Sequence, residues 1–175
     1  MSAGAGRDHI TGRMKGNRGN LIVAAALLSF ISISCDRGVI YSGNYELQEE
    51  QWSMYDPAKY ACTINDSVST YDVEFSLRTS TDYPYCNIFL FIVTSFPSGT
   101  TVTDTLHVMV ADGNGKWLGR GVGDLRELTI PYKTNVWFPE KGEYHFTVIH
   151  GMRDTVLKGV YDFGMRVTLR ERQVK

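Results

Sequence analysis

Residues 71–78 read Tyr71-Asp-Val-Glu-Phe-Ser-Leu-Arg78, and apolar and polar side chains alternate along the whole segment. Successive side chains of a β-strand point to opposite faces of its sheet. Alternation with a period of two therefore places one set of side chains in a core and the other set in water. The segment predicts a half-buried β-strand.

The same strand signal recurs through the rest of the chain after residue 44, where no helical periodicity is found. Residues 88–96 are apolar on both faces, which predicts a central strand. Further strands are predicted at 102–110, 144–148 and 163–169, and weaker ones at 45–52 and 128–138. The inward-facing side chains are predicted to form the core: Val73, Phe75, Leu77, Ile88, Leu90, Ile92, Leu106, Val108, Phe146, Val148, Met165 and Val167.

Glycine and proline separate these strands. The segments Pro97-Ser-Gly99, Asp112-Gly-Asn-Gly115 and Pro139-Glu-Lys-Gly142 lie at or near the ends of predicted strands, where tight turns favour these residue types. Short strands with regular turns between them predict an all-β fold, a single antiparallel β-sandwich.

Residues 1–34 are predicted to be a signal peptide. An apolar run begins at Leu21 and is shorter than the roughly 20 residues that span a bilayer. Cys35 follows the run at the cleavage point, which resembles a bacterial lipoprotein signal, in which that thiol is acylated. The alternative is an ordinary signal peptide with a chance cysteine. Basic residues precede the run: Arg7, Arg13, Lys15 and Arg18.

The organisation of the chain follows from this signal. Residues 1–13 are polar and Gly-rich, and we expect them to be an extension before a true start at Met14. Residues 35–44 are predicted to be a lipidated tether, and residues 45–175 the β-sandwich domain. The tether has no acidic cluster, which favours a periplasm-facing anchor in the cell envelope.

The charge of the mature chain argues against nucleic acid as a partner. The residues before Cys35 include four basic ones and one acidic one, which leaves 14 basic and 18 acidic residues. No basic stretch is present to neutralise phosphates. No polybasic patch for anionic lipid is present either, so the predicted acyl chains alone carry the membrane contact.

Two further cysteines, Cys62 and Cys86, follow the predicted signal. Export places them in an oxidising compartment, where a disulfide between them is one interpretation. The other is that they are two small, separately buried apolar residues.

No segment has the pattern of a catalytic, metal or cofactor site. Residues 112–117 begin like a calcium loop, but Lys116 stands where the pattern requires Asp or Asn. The glycines at 119–123 do not open a helix, as a dinucleotide loop must. The histidines at 107, 145 and 150 lack metal-ligand spacing. Two of them, His107 and His145, lie on predicted outward strand faces. We therefore predict no enzymatic activity, no metal and no cofactor.

The loop at residues 112–124 is the strongest candidate for a binding surface. Long loops without secondary structure are usually functional or disordered, and Trp and Arg are enriched at interface hot spots. We predict that it docks a partner through Lys116, Trp117, Leu118 and Arg120. The alternative is a loop folded over the end of the sandwich with Trp117 buried. Trp117 is also predicted to be the best exposed of three indoles that could stack on a sugar, the others being Trp52 and Trp137.

Several segments in one order resemble the gliding-motility lipoprotein GldH family of the Bacteroidetes. The resemblance covers residues 45–170, and Cys35 agrees with a family of lipoproteins. One departure is Gly151 before Met-Arg, where the family tends to have Ala. The segments are Asp82-Tyr-Pro-Tyr-Cys-Asn-Ile-Phe-Leu-Phe91, Phe96-Pro-Ser-Gly99, Thr103-Asp-Thr-Leu106, Gly115-Lys-Trp-Leu-Gly119, Phe138-Pro139, Gly151-Met-Arg153 and Asp162-Phe-Gly-Met-Arg166.

The resemblance implies a membrane-anchored, non-enzymatic component of the gliding machinery and of the protein-secretion system linked to it. It implies other envelope proteins of that machinery as partners, and no catalytic residues. The alternative hypothesis is a carbohydrate- or ligand-binding envelope β-sandwich, which requires an exposed aromatic platform.

Overall fold

The computed structural model describes residues 38–170. Within that range the chain forms ten β-strands, with one 3₁₀ turn at Gln48–Glu50 and no α-helix. No helix there is long and apolar enough to cross a membrane. The strands are β1 Val39–Glu46, β2 Gln51–Ser53, β3 Ala58–Ile64, β4 Thr70–Ser80, β5 Asn87–Ser95, β6 Thr101–Met109, β7 Leu125–Trp137, β8 Gly142–His150, β9 Val156–Lys158 and β10 Val160–Arg170.

Two four-stranded sheets and a short ribbon contain all of these strands. The first sheet has the order β1-β10-β4-β7, the second has the order β3-β8-β5-β6, and β2 pairs with β9. Every pairing is antiparallel. The predicted all-β antiparallel sandwich is confirmed.

The core lies between the two sheets, where the inward side chains of β4, β10, β5 and β8 meet. The predicted core residues are buried, except that Leu106 and Val108 are only partly buried. Both lie on β6, an edge strand with a neighbour on one side alone, so fewer side chains cover them. The ring of Phe75 packs on those of Tyr132 and Phe163, with centroids 5.1 and 5.2 Å apart.

Strand β5 is central, as predicted, because it pairs with both β6 and β8. Its outer face is apolar but open: Phe89 and Phe91 are both exposed, and Phe89 stacks on His107. The apolar side chains on both faces thus predicted the central position of β5 correctly, although only its inner face is covered by the other sheet.

Several boundaries differ from the predictions. Strand β1 includes residues 39–44, which were predicted to be tether, because this segment pairs with the edge of β10. The predicted strand at 45–52 is divided by the 3₁₀ turn, where Glu49 and Glu50 adopt positive φ. Strands β3 and β9 were not predicted. Strand β9 has only three residues, too few to show a period. Strand β3 alternates clearly through Ala58, Tyr60, Cys62 and Ile64, so this signal was present in the sequence and was missed.

Different contacts join the two sheets at the two sides of the sandwich. On the β1/β3 side, the Tyr60 hydroxyl donates a hydrogen bond to the Phe163 carbonyl oxygen at 2.5 Å, across the two sheets. On the β6/β7 side, the Tyr132 hydroxyl donates to Asp104 Oδ2 at 2.6 Å, and Lys133 Nζ lies 3.0 Å from the same oxygen. A cleft remains open beside these last contacts.

Candidate functional site

The loop at 112–124 has a defined backbone structure. Asp112 Oδ1 accepts hydrogen bonds from the backbone N–H groups of Asn114 and Lys116, both at 2.9 Å, which makes the start of the loop an Asx turn. Farther along, Arg120 and Glu127 exchange two backbone hydrogen bonds of 2.8 and 2.7 Å. The loop is therefore attached to the start of β7.

The glycines of this loop allow a close approach of two backbones. A Cβ atom at Gly121 would overlap the carbonyl oxygen of Leu125, and one at Gly119 would lie 2.7 Å from that of Glu127. Both positions therefore require glycine for steric reasons.

The side chains predicted to dock a partner lie at different depths. Lys116 and Arg120 are exposed, and Leu118 is 50% exposed. Trp117 is neither fully exposed, as docking predicts, nor fully buried, as a covering loop predicts. It is half-buried and packs against the core. Docking by this loop therefore remains a prediction.

A polar groove of about 570 Å³ lies on the outer face of the first sheet. Gly164 in β10 lies in its floor, and the side chains of Ser76 and Asn44 occupy the space that a side chain at Gly164 would take. These residues are cross-strand neighbours, as Asn44 pairs with Gly164 and Gly164 with Ser76. The volume lies within the range of small-ligand sites.

One end of the groove is formed by a charged row that crosses the whole sheet. Glu46 pairs with Asp162, Asp162 with Arg78, and Arg78 with Glu127. Arg78 Nη1 lies 2.8 Å from Asp162 Oδ2. Burial raises the pKa of Asp162 above its ordinary value, and Arg78 opposes this shift. The other end of the groove is bordered by Glu74 and Arg166.

The groove and the loop form one continuous surface. Glu127 and Thr129 border the groove, and they also border a second depression that is lined by Leu118 and Arg120. The backbone bridge between Arg120 and Glu127 joins the two regions. The docking residues predicted from the sequence thus lie next to a groove that was not predicted.

The groove residues were missed because their pattern is that of an ordinary wet strand face. Asp162, Gly164 and Arg166 alternate outward along β10, and the residues opposite them on β4 belong to the polar set of 71–78 that was predicted to face water. A glycine in the middle of a strand often marks the close approach of a ligand or another backbone, and this was the available signal.

An apolar cleft of about 380 Å³ opens between the edges of β6 and β7. Its polar lining consists of Thr94, Asp104, Tyr132 and Lys133. Hydrogen bonds from Tyr132 and Lys133 lower the pKa of Asp104, and burial raises the pKa of Tyr132. Trp137 stands at its mouth and is 56% exposed, whereas Trp52 is buried. The best exposed indole is therefore Trp137, and the prediction that it would be Trp117 is wrong.

The two cysteines are free, so the disulfide interpretation is not supported. Cys62 points into the core from β3, and burial raises its pKa to about 11. Cys86 is exposed, so the alternative that both cysteines are separately buried is wrong. Cys86 lies in the loop before β5, where its carbonyl oxygen accepts hydrogen bonds from Val110 and Ala111.

The histidines differ in burial. His107 and His145 are exposed on outer strand faces, as predicted. His150 is buried, and its Nε2–H donates to the carbonyl oxygen of Trp52 at 3.0 Å. In residues 38–170, no three His, Cys, Asp or Glu side chains lie close enough together to hold a metal ion. Cys35, the predicted lipidation site, lies outside the described residues.

The fold and these surfaces define the class of the protein, an antiparallel β-sandwich domain with a polar groove, an adjoining glycine-rich loop and an apolar edge cleft. The GldH lipoprotein family matches residues 39–167, and the chain belongs to this family. The expectation drawn from the sequence segments is confirmed.

Two relatives are similar over most of their length. The gliding motility lipoprotein GldH homolog of Christiangramia forsetii is 35% identical over 141 residues, which are 77% of this chain and 86% of that protein. The gliding motility lipoprotein GldH of Flavobacterium johnsoniae is 30% identical over 162 residues, 89% of this chain and 98% of that protein. A structure of infectious bursal disease virus Gx strain has a TM-score of 0.33 and 15% identity over 78% of this chain and 31% of that chain, and has no bearing on function.

Proposed function

We propose that this protein is a lipid-anchored, non-enzymatic component of the gliding-motility machinery and its linked protein-secretion system, and that it acts by binding other envelope proteins. Family membership over residues 39–167, with relatives named as gliding motility lipoproteins, carries the proposal. The continuous surface of loop and groove supports a binding role.

The environment of the titratable side chains also supports a non-enzymatic role. Asp112 caps a turn, Asp104 accepts from Tyr132, and Asp162 pairs with Arg78. His150 donates to a backbone carbonyl in the core. Each group therefore has a structural partner where a general acid or base would need access to a substrate.

The anchoring proposal assigns the acyl chains to Cys35, with the domain facing the periplasm. Cells expressing the wild-type chain or Cys35→Ala would be fed a clickable fatty acid, and the protein recovered from membrane and soluble fractions. Wild type should carry label and stay with the membrane, whereas Cys35→Ala should lose both. Label retained by the variant would place the lipid elsewhere. Protease protection in intact cells then reports the face of the membrane.

The docking proposal is tested with Trp117→Ala and Arg120→Ala. Lys59→Ala is a matched control for Arg120, because Lys59 is also an exposed cation but lies on the second sheet. Docking predicts that Arg120→Ala keeps wild-type thermal stability but captures fewer envelope proteins in pull-downs from cells, while Lys59→Ala captures them normally. A large drop in melting temperature for Trp117→Ala, with partners retained, would show that the loop serves only to cover the core.

The apolar cleft favours a second candidate, a carbohydrate- or ligand-binding sandwich. Trp137 is exposed at its mouth and offers the aromatic face that sugar binding needs. A glycan-array signal that disappears in Trp137→Ala but persists in Trp117→Ala supports this candidate. Absence of any signal favours the machinery component.

A further inference from the structure

Both ends of the described chain lie at one end of the sandwich. Strand β1 begins there and β10 ends there, because the two strands are antiparallel neighbours. The loops at 65–69, 96–100 and 138–141 lie at the same end, since they join the strand termini that meet there. The loop at 112–124 connects β6 and β7 at the opposite end. Strand β4, with 11 residues, separates the two ends by about 35 Å.

The predicted lipidation site is close to the start of β1 along the chain. Cys35 precedes Gly38 by three residues, and an extended chain of that length spans about 11 Å at most. Gly38 is attached to β10, because its carbonyl oxygen accepts a hydrogen bond of 2.7 Å from the Leu169 N–H. An acylated Cys35 therefore holds the start of β1 within about 11 Å of the membrane surface. We call this end of the sandwich, with its loops at 65–69 and 138–141, the anchor end.

The anchor end carries exposed apolar side chains. Trp137 is 56% exposed and Val68 is 68% exposed. The two belong to one surface, because the indole N–H of Trp137 donates a hydrogen bond to the carbonyl oxygen of Ser67. Pro97 and Pro139 are exposed in the neighbouring loops. An indole with an apolar ring and a polar N–H suits the boundary between lipid and water, where Trp is enriched.

The charged groups at the anchor end favour contact with neutral rather than anionic lipid. Asp66 Oδ1 accepts a hydrogen bond of 2.8 Å from the Val68 N–H. Glu140 Oε2 accepts one of 2.9 Å from the Ser98 N–H. Cations are not in excess there, so contact with lipid would be apolar rather than electrostatic. In the described residues, the other charged side chains near this end are Asp72, Asp104, Glu143, Lys133, Lys141 and Arg170.

We propose that the anchor end lies on the lipid surface, with Trp137 and Val68 in the headgroup region, and that the loop at 112–124 points away from the membrane. The inference rests on the proposed function, because the acyl chains on Cys35 supply the affinity and the exposed side chains orient the domain. A domain lying on the side of β1 fits less well, since the exposed side chains of that strand after Ile40 are polar.

The test uses the lipidated protein, purified from cell membranes and placed in phosphatidylcholine vesicles whose acyl chains carry bromine near the headgroups. Bromine quenches the fluorescence of a nearby indole. Of the three indoles, Trp117 lies in the loop at the opposite end, and Trp52 is buried. We expect quenching in the wild type that is lost in Trp137→Phe and kept in Trp117→Phe. Vesicle-bound wild type without quenching, or quenching that persists in Trp137→Phe, would overturn the proposal.

Matched substitutions test the contact itself. Val68→Glu places a charge in the proposed contact and should lose most of the quenching, while the melting temperature stays that of the wild type because the position is exposed. Val122→Glu places the same charge in the loop at 112–124, where Val122 is 89% exposed, and should be quenched like wild type. Phe91→Ala, on the outer face of the second sheet, should also keep the quenching. Equal quenching in the two glutamate variants, or its loss in Phe91→Ala, would place the membrane elsewhere and overturn the proposal.

The outcomes separate this inference from the proposed function. If the wild type carries lipid and stays on the vesicles but Trp137 is not quenched, the anchor stands and the inference fails. If Cys35→Ala keeps the fatty-acid label, the proposed anchor fails, while quenching that is lost in Trp137→Phe still supports the membrane contact. An unquenched Trp137, together with envelope proteins or a glycan-array signal lost in Trp137→Ala, would make this surface a protein or sugar site and overturn the inference.

Discussion

Tyr60 and Phe163 connect the two sheets of the sandwich although 103 positions separate them in the chain. The Tyr60 hydroxyl, on β3 of the second sheet, donates to the Phe163 carbonyl oxygen on β10 of the first sheet at 2.5 Å. Burial raises the pKa of Tyr60 far above its ordinary value, which keeps the hydroxyl protonated as a donor. This bond closes the β1/β3 side of the sandwich.

Tyr60→Phe removes this bond and keeps the ring. We expect a loss of about 1–2 kcal/mol in the free energy of unfolding, because a buried carbonyl loses a donor. Urea unfolding followed by circular dichroism measures it. Tyr55→Phe removes a hydroxyl from a side chain that is 81% exposed and should change stability by less than about 0.5 kcal/mol. Equal effects of the two changes would show that the inter-sheet bond adds nothing.

Phe75→Ala and Phe146→Ala remove large buried rings from facing sheets. Each should lower the free energy of unfolding by about 3–5 kcal/mol, because the change leaves a cavity as well as losing apolar burial. Phe91→Ala is the matched control, since Phe91 is 42% exposed on the outer face of β5. Its effect should be clearly smaller. A loss from Phe91→Ala as large as the other two would indicate that this outer face is covered.

His150 predicts a pH dependence of stability. Burial lowers its pKa below the ordinary value of 6.5. The unfolded chain therefore takes up a proton below about pH 6.5 while the native chain resists it, so the free energy of unfolding falls as the pH drops through this range. Urea unfolding at several pH values between about 5 and 8 measures the slope.

His150→Gln should flatten that slope, whatever its effect on stability at neutral pH. His145→Gln is the control, because His145 is exposed on the outer face of β8. It should keep a wild-type slope. A slope that is unchanged in His150→Gln means that other groups cause the acid sensitivity.

The two thiols of the domain should react very differently. Cys86 is exposed and should be modified by maleimide in the folded protein, whereas Cys62 should react only after unfolding, since its thiol is buried and the thiolate is the reactive form. Peptide mapping by mass spectrometry assigns each adduct. Protection of both thiols until a reductant is added would instead demonstrate a disulfide.

Local pattern was sufficient to predict the strands and the class of fold. The strand signals depend only on neighbouring residues: alternation along 71–78 and 163–169, and apolar character along 88–96. In a pleated strand, successive side chains point to opposite faces, so such a pattern predicts the two faces directly. The Gly and Pro residues between the strands also favour turns through their own local conformation. Most of the predicted core residues are buried for this reason, and membership of the family followed from its ordered segments. The core also contains residues that were not predicted, among them Trp52, Tyr60 and Ile64.

Pairing between distant segments determined the rest. Asp162 lies on a wet face by its own pattern, yet it is buried on β10, between Glu46 of β1 and Arg78 of β4, and it forms an ion pair with Arg78. The exposure of Cys86, and that of Trp137 at the open edge of the sandwich, was likewise decided by which distant segments pack nearby. A period of two indicates which face a side chain occupies. The side chains that cover that face come from strands far away in the chain, so the groove and the cleft appear only in the folded structure.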